Sequence, residues 1–130
     1  MPDKRYFSEV KSTESMPETE NQWEPIPETL EQAIERLRHF QGWEEAALKH
    51  TEIHFTSIAH FGVAISMRNN WRLHQSEPGT ISGWFRRHRI SEADMRSGFI
   101  LKAFWHKANN KPFDAEKEIE ALKSPFGFSI

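Results

Sequence analysis

The chain has 130 residues, of which 28% are charged and 37% hydrophobic, and its formal net charge is −2. It contains no cysteine, which excludes a disulfide scaffold and any zinc site built from thiolates. The length suits one domain, and the apolar stretches are too short for a secretory signal or a bilayer span, so we expect a cytoplasmic protein without membrane association.

Charge is distributed unevenly along the chain. Residues 68–111 carry nine basic and three acidic side chains, a net charge of +6. Residues 26–67 carry three basic and six acidic side chains, a net charge of −3. Such a basic segment usually pairs with acidic neighbours of its own chain, but it can also mark a surface for a partner.

Residues 1–25 are predicted to form a flexible acidic arm that precedes a helical domain over residues 26–130. The stretch from Ser12 to Pro25 is rich in Glu, Ser, Thr and Pro and has almost no apolar periodicity, so it cannot offset the entropy of ordering. Three apolar side chains are expected to dock one end of this arm, namely Tyr6, Phe7 and Val10.

The rest of the pattern predicts a compact all-α bundle of about five helices. Thr29 with Gln32 matches a capping box that begins the first helix, and Gly42 is expected to end it. A short helix is predicted for Trp43–His50. Further helices are predicted over 80–88, over 92–108 after a capping box of Ser91 and Asp94, and from Asp114 through Leu122. The chain then closes on an apolar run at residues 126–130.

A central helix is predicted from Glu52 to Asn70, with Thr51 as its N-cap. Because Gly62 costs about 1 kcal/mol in a helix interior, we expect another backbone to pack closely against it. The large apolar side chains of this helix are expected to form its buried stripe, namely Ile53, Ile58, Phe61 and Ile65, together with Trp71.

A series of short motifs over residues 26–123 resembles a bacterial family of small domains of unknown function. The matching segments are His60-Phe61-Gly62, Arg68-Asn69-Asn70-Trp71, Asp94-Met95, Phe104-Trp105 and Asn110-Lys111-Pro112. Ala93 replaces the first Asp of a DDM-like helix start, which weakens any role for that carboxylate. The resemblance implies no established activity.

The polar residues of these motifs allow two interpretations. They are His60, Arg68, Asn69, Asn70, Trp71 and Asp94. On one helix face, an imidazole, a guanidinium and an indole could line a pocket for an anion or a peptide edge. The alternative, which we favour, is a structural network in which Arg68 pairs with Asp94 and the Asn side chains cap backbone groups.

Two further clusters invite functional hypotheses. His50 and His54 have the i,i+4 spacing of zinc ligands on a helix, but a third ligand is not evident, so we predict no metal site. Arg86, Arg87 and Arg89 lie beside Trp84, a pattern of some nucleic-acid surfaces, although cations also suit a helix C-terminus. The isoelectric point near 6.4 disfavours an obligate nucleic-acid binder.

Catalytic motifs are absent from the sequence, with no G-x-S-x-G elbow and no Gly-rich phosphate loop, so we expect neither an enzyme nor a bound cofactor. The favoured function is protein–protein interaction, specifically an immunity or antitoxin-like protein that neutralises a bacterial toxin. The alternative is an accessory domain that binds nucleic acid through residues 86–89. The first candidates for the protein-binding surface are Trp43, Glu44 and Glu45, which join an indole to paired negative charge.

Overall fold

The computed structural model describes residues 22–123, which form seven α-helices and no strand. The all-α prediction is therefore confirmed for these residues, whereas the expected number of about five helices is too low. The helices are α1 Leu30–Arg38, α2 Trp43–Lys49, α3 Glu52–His60, α4 Val63–Asn70, α5 Ile81–Arg87, α6 Ala93–Ala108 and α7 Ala115–Lys123. None of these seven has the length and apolar character needed to cross a membrane. The predictions for Tyr6, Phe7, Val10 and residues 126–130 fall outside the described part of the chain.

Helix α6 is the centre of the fold, as its apolar sequence suggests. It packs against α1, α2, α3 and α4, and seven of its sixteen residues are buried. Phe104 stacks on Phe55 of α3 with ring centroids 5.9 Å apart, and Phe99 meets Phe85 of α5 edge to face at 5.6 Å. The core is thus a layer of side chains that surrounds one helix on several sides.

Local capping signals explain most of the helix starts. The hydroxyl groups of Thr29, Thr51 and Thr80 accept hydrogen bonds from backbone N–H groups three residues onward, at the starts of α1, α3 and α5. Asp114 accepts from the N–H of Lys117 in the same way at α7. These contacts confirm the predicted caps at Thr29, Thr51 and Asp114.

One predicted capping box and one predicted helix end are wrong. Helix α6 has Glu92 as its N-cap, without a hydrogen bond from the cap side chain, so the expected capping box of Ser91 and Asp94 does not form. Gly42 does not end the first helix, because α1 already stops at Arg38. Instead Gly42 is the N-cap of α2 with φ of 87°, a left-handed conformation that suits glycine.

The predicted central helix is divided into α3 and α4 at Gly62, whose backbone leaves the helical region at φ −121° and ψ −89°. A side chain built at Gly62 would meet nothing within 4 Å, so the expected close backbone contact is wrong. The buried stripe is also different from the predicted one. It consists of Phe55, Ala59, Val63, Ala64 and Met67.

Residues 22–25, assigned to the arm by composition, contact the helical core. The ring of Trp23 lies edge on to Phe40 and Trp71, with centroid distances of 4.5 and 5.3 Å. The indole Nε1 of the buried Trp71 donates to the backbone oxygen of Trp23 at 2.7 Å. Arg36 also donates to the backbone oxygens of Trp23 and Pro25. This segment therefore packs as part of the helical domain.

Candidate functional site

The most conspicuous surface feature is a set of large apolar side chains exposed on α2, α3 and α4. We call this set the apolar surface. Ile53 and Phe61 are 78% and 80% exposed, and the other members are about half exposed. The full set is Leu48, Ile53, Ile58, Phe61 and Ile65. Four of the five were predicted to be buried, and that prediction is wrong.

The geometry of the helices explains this exposure. Ile58 lies in α3, Phe61 is the C-cap of that helix, and Ile65 lies in α4 beyond the break at Gly62, and all three side chains remain accessible. The buried side of α3 carries Phe55 and Ala59 and packs against α6, where the Phe55 ring stacks on Phe104. Full burial of one such side chain is worth about 1.5–3 kcal/mol. A partner that covered these exposed side chains would therefore gain hydrophobic free energy that folding of the domain does not provide.

The predicted partner surface at residues 43–45 is only partly available. Trp43 is half-buried and meets Phe55 edge on at 6.0 Å, so its indole belongs to the core. The carboxylate of Glu44 lies 3.7 Å from the Arg38 guanidinium, while Glu45 is exposed. Glu44 and Glu45 do share an open groove of about 300 Å³ with Leu48, a member of the apolar surface.

Arg68 pairs with Asp94, as the sequence suggested. Its Nη1 lies 3.3 Å from Oδ1 of Asp94 and donates to the Ser97 hydroxyl at 2.9 Å. The side chain of Asp94 is 72% exposed, however, so this is not the buried ion pair that we expected. Exposed pairs contribute about 0–1 kcal/mol, far less than buried ones.

The other members of the predicted polar cluster have separate environments. His60 is exposed and its ring contacts Phe61, while the break at Gly62 separates it from Arg68. The Asn70 amide donates to the backbone oxygen of Ser66 at 2.8 Å, and Asn69 is exposed. Trp71 is buried against Trp23, so the structure does not bring the imidazole, guanidinium and indole to one face.

Arg96 is the buried charge that sequence reasoning missed. It is 1% exposed, and its guanidinium donates to the backbone oxygens of Leu73, Gln75 and Ile90. Its Nη2 lies 3.4 Å from the Ser76 hydroxyl, and its Cζ lies 5.7 Å above the Phe85 ring. Burial lowers its pKa from the ordinary value, but an arginine remains protonated at neutral pH. No carboxylate within residues 22–123 forms an ion pair with it.

A second polar group missed from the sequence joins α3, α6 and α7. The ammonium group of Lys102 lies 2.8 Å from Glu118 and 3.7 Å from Glu52. Glu52 also meets the His106 ring at 2.8 Å. Burial lowers the pKa of Lys102, but hydrogen bonds and charges from Glu118 and Glu52 outweigh this effect, so the net pKa lies above 10.5.

The raised pKa predicts an alkaline loss of stability. The stabilisation by Lys102 should be fully present below its unfolded pKa and vanish as the pH rises through the higher folded value. Because Lys102 is partly exposed, we expect Lys102→Met to cost about 0.5–1 kcal/mol at pH 8. Urea unfolding at pH 8 and pH 11.5 measures the free energy of unfolding of both proteins. The difference in this free energy between variant and wild type should disappear at the higher pH. An equal gap at both values would contradict a charge-based contribution.

Two other clusters named from the sequence are the pair of histidines at positions 50 and 54 and the arginines at positions 86, 87 and 89. The rings of His50 and His54 lie 4.6 Å apart, but residues 22–123 contain no group of three or more His, Cys, Asp or Glu side chains placed to hold a metal ion. Arg86, Arg87 and Arg89 are all exposed, and none forms an ion pair with a carboxylate of the described range. Arg86 and Arg87 line a groove, whereas Arg89 follows the helix with φ of 64°.

One family model matches the chain, and its description is a domain of unknown function (DUF6794). The match covers residues 26–108, which is more than half of the sequence, so the chain belongs to this family. The predicted resemblance to a family of unknown function is thereby confirmed, while its bacterial origin and its motifs remain predictions. No curated protein matches the chain, and no solved structure does.

Proposed function

We propose that this member of the DUF6794 family is a protein-interaction module that binds its partner through the apolar surface. The observation that carries the proposal is the exposure of Ile53 and Phe61, which lie at the two ends of α3 and are each about four-fifths accessible. Contiguous exposed apolar side chains on a small domain commonly mark an interaction site. Aromatic residues such as Phe61 are also enriched where interfaces are most strongly desolvated.

Charge favours a particular chemistry for the partner. The apolar surface lies within residues 26–67, which carry a net charge of −3. Glu45 is exposed beside Leu48 in the groove at the start of this region. A protein with an apolar patch bordered by Lys and Arg would complement both features, and the opposite charges would raise its association rate.

Within this class we favour an immunity-type role, in which the domain covers and neutralises a basic toxin. The support is the small size, the lack of a catalytic motif in the sequence and the acidic setting of the apolar surface. The proposal assigns the domain no catalytic role. A second candidate, nucleic-acid binding, is favoured by the guanidinium groups of Arg86, Arg87 and Arg89, which are exposed and form no ion pair within residues 22–123.

The test is affinity capture from cells of the source organism with the tagged full chain at moderate salt. We expect one stoichiometric protein, and we expect Ile53→Ser combined with Phe61→Ser to reduce its recovery at least about 30-fold, equivalent to losing a hot spot of 2 kcal/mol. Both positions are exposed, so thermal unfolding should stay close to wild type. Arg86→Gln with Arg87→Gln is the matched control and should retain the partner.

Two results would overturn the proposal. Recovery of nucleic acid alone, lost at high salt and in the arginine variant, would favour the second candidate, because counterion release makes such binding strongly salt-dependent. A purified chain that forms dimers by light scattering, and monomers after the Ile53 and Phe61 substitutions, would assign the apolar surface to self-association.

A further inference from the structure

A second groove is lined by residues from the C-terminal half of the sequence and includes no member of the apolar surface. Its volume is about 320 Å³. It lies between the turn that precedes α5 and α5 itself. The lining residues are Ser76, Pro78, Gly83, Arg86 and Arg87.

Gly83 fixes the shape of this groove. A Cβ atom at Gly83 would lie 2.5 Å from the backbone oxygen of Glu77, so only glycine lets the turn approach α5 this closely. Arg86 and Arg87 are three and four residues after Gly83, and they therefore share its side of the helix. The sequence thus places two guanidinium groups on either side of the point where the turn meets the helix.

The positive charge in the groove is not neutralised by the described part of the chain. Arg86 and Arg87 form no ion pair there, in contrast to Arg38, which meets two carboxylates. Glu77 lies in the same turn, but it is exposed and forms no ion pair with either arginine within residues 22–123.

A third guanidinium lies beneath the groove. The buried Arg96 approaches the Ser76 hydroxyl at 3.4 Å through Nη2, and it has no carboxylate partner in the described range. Because Ser76 accepts from Arg96, its own hydroxyl hydrogen is free to donate to a ligand in the groove. A buried cation is screened by solvent much less than a surface one, so it adds to the attraction for an anion.

We infer that this groove binds a phosphate group, either free or as the terminal monoester of a small molecule. Arg86 and Arg87 would donate to its oxygens in the forked geometry that arginine offers, and Ser76 would add a third donor. The volume is at the lower end for small-ligand sites, which suits one compact anion. It suits a nucleic-acid strand less well, because Arg89 lies outside the lining.

The test titrates the full chain with inorganic phosphate and follows the chemical shifts of the backbone amides. A titration with chloride at the same ionic strength is the reference. We expect saturation in the millimolar range, with shifts centred on residues 76–87. Arg86→Gln with Arg87→Gln should weaken binding at least about tenfold, because charge-assisted donors dominate such sites. Arg38→Gln is the matched control and should leave binding unchanged. Both variants alter exposed side chains, and thermal unfolding checks that they fold.

A parallel titration with glucose 6-phosphate separates the two sources of the ligand. Tighter binding than inorganic phosphate supports an organic monoester, and equal binding supports free phosphate. The inference is overturned if no response exceeds that to chloride, or if the double variant binds like wild type. It is also overturned if a single-stranded oligonucleotide binds through these arginines while phosphate does not. None of these outcomes depends on the apolar surface, so each proposal can fail alone.

Discussion

Arg96→Met is expected to lower the free energy of unfolding by about 2–6 kcal/mol, because two buried backbone oxygens lose their donor at about 1–3 kcal/mol each. The guanidinium satisfies the backbone oxygens of Leu73, Gln75 and Ile90, and a methionine can satisfy none of them. Replacing both partners of a buried ion pair with apolar groups can be nearly neutral. Here the acceptors belong to the backbone and remain in place, and the oxygens of Leu73 and Ile90 are buried, whereas that of Gln75 is only partly buried.

Urea unfolding measures this effect, with Arg68→Met as the control. Arg68 is also partly buried, but its carboxylate partner Asp94 is largely exposed. We therefore expect Arg68→Met to lower the free energy of unfolding by about 1 kcal/mol. Arg96→Lys should resemble the methionine variant, because one ammonium group cannot reproduce the fork of donors. An Arg96→Met variant within 1 kcal/mol of wild type would show that these carbonyl groups do not depend on the guanidinium.

The contrast between these two arginines shows what the sequence could predict about polar contacts. The pairing of Arg68 with Asp94 was predictable from charge and from the order of the helices. The burial of Arg96 was not, because its partners are backbone oxygens in two loops and carry no side-chain signal. The same limit applies to Lys102, whose two carboxylates come from helices distant in sequence.

The capped helix starts were predictable because a cap is a local interaction. Thr29, Thr51 and Asp114 each bond to a backbone group three residues away, so a short window of sequence contains both partners. The starts of α2 and α6 have no side-chain cap bond. Helix α2 nevertheless begins at Trp43 as predicted, whereas the capping box predicted for α6 does not form.

The face of α3 and α4 that packs in the core was not predictable from side-chain size. Two sets of apolar residues have helical spacing in this segment. The exposed set includes Ile53 and Phe61, and the set that packs in the core includes both the large Phe55 and the small Ala59. Both sets therefore contain large apolar side chains, so neither size nor hydrophobicity shows which of them is buried. The same residues thus account for the failed fold prediction and for the proposed function.

The second large effect is expected at the segment before α1. Trp23→Ala should lower the free energy of unfolding by about 3 kcal/mol, the lower end of the range for Trp→Ala, because the ring is only half-buried. The variant loses the ring contacts with Phe40 and Trp71 but keeps the backbone oxygen that accepts from Trp71. Gln22→Ala, at an exposed neighbouring position, should change stability by less than about 0.5 kcal/mol.

Deleting residues 1–25 should be more damaging than the single substitution. It removes the ring of Trp23 and also the backbone oxygens that accept from Trp71 and Arg36, so the buried indole N–H of Trp71 loses its partner. An unsatisfied buried donor costs about 1–3 kcal/mol in addition to the lost packing. Thermal unfolding of the three proteins should therefore rank wild type above Trp23→Ala and Trp23→Ala above the deletion. If the deletion variant has the same melting temperature as the wild type, residues 22–25 contribute no stability. The domain then begins at residue 26, the boundary predicted from composition.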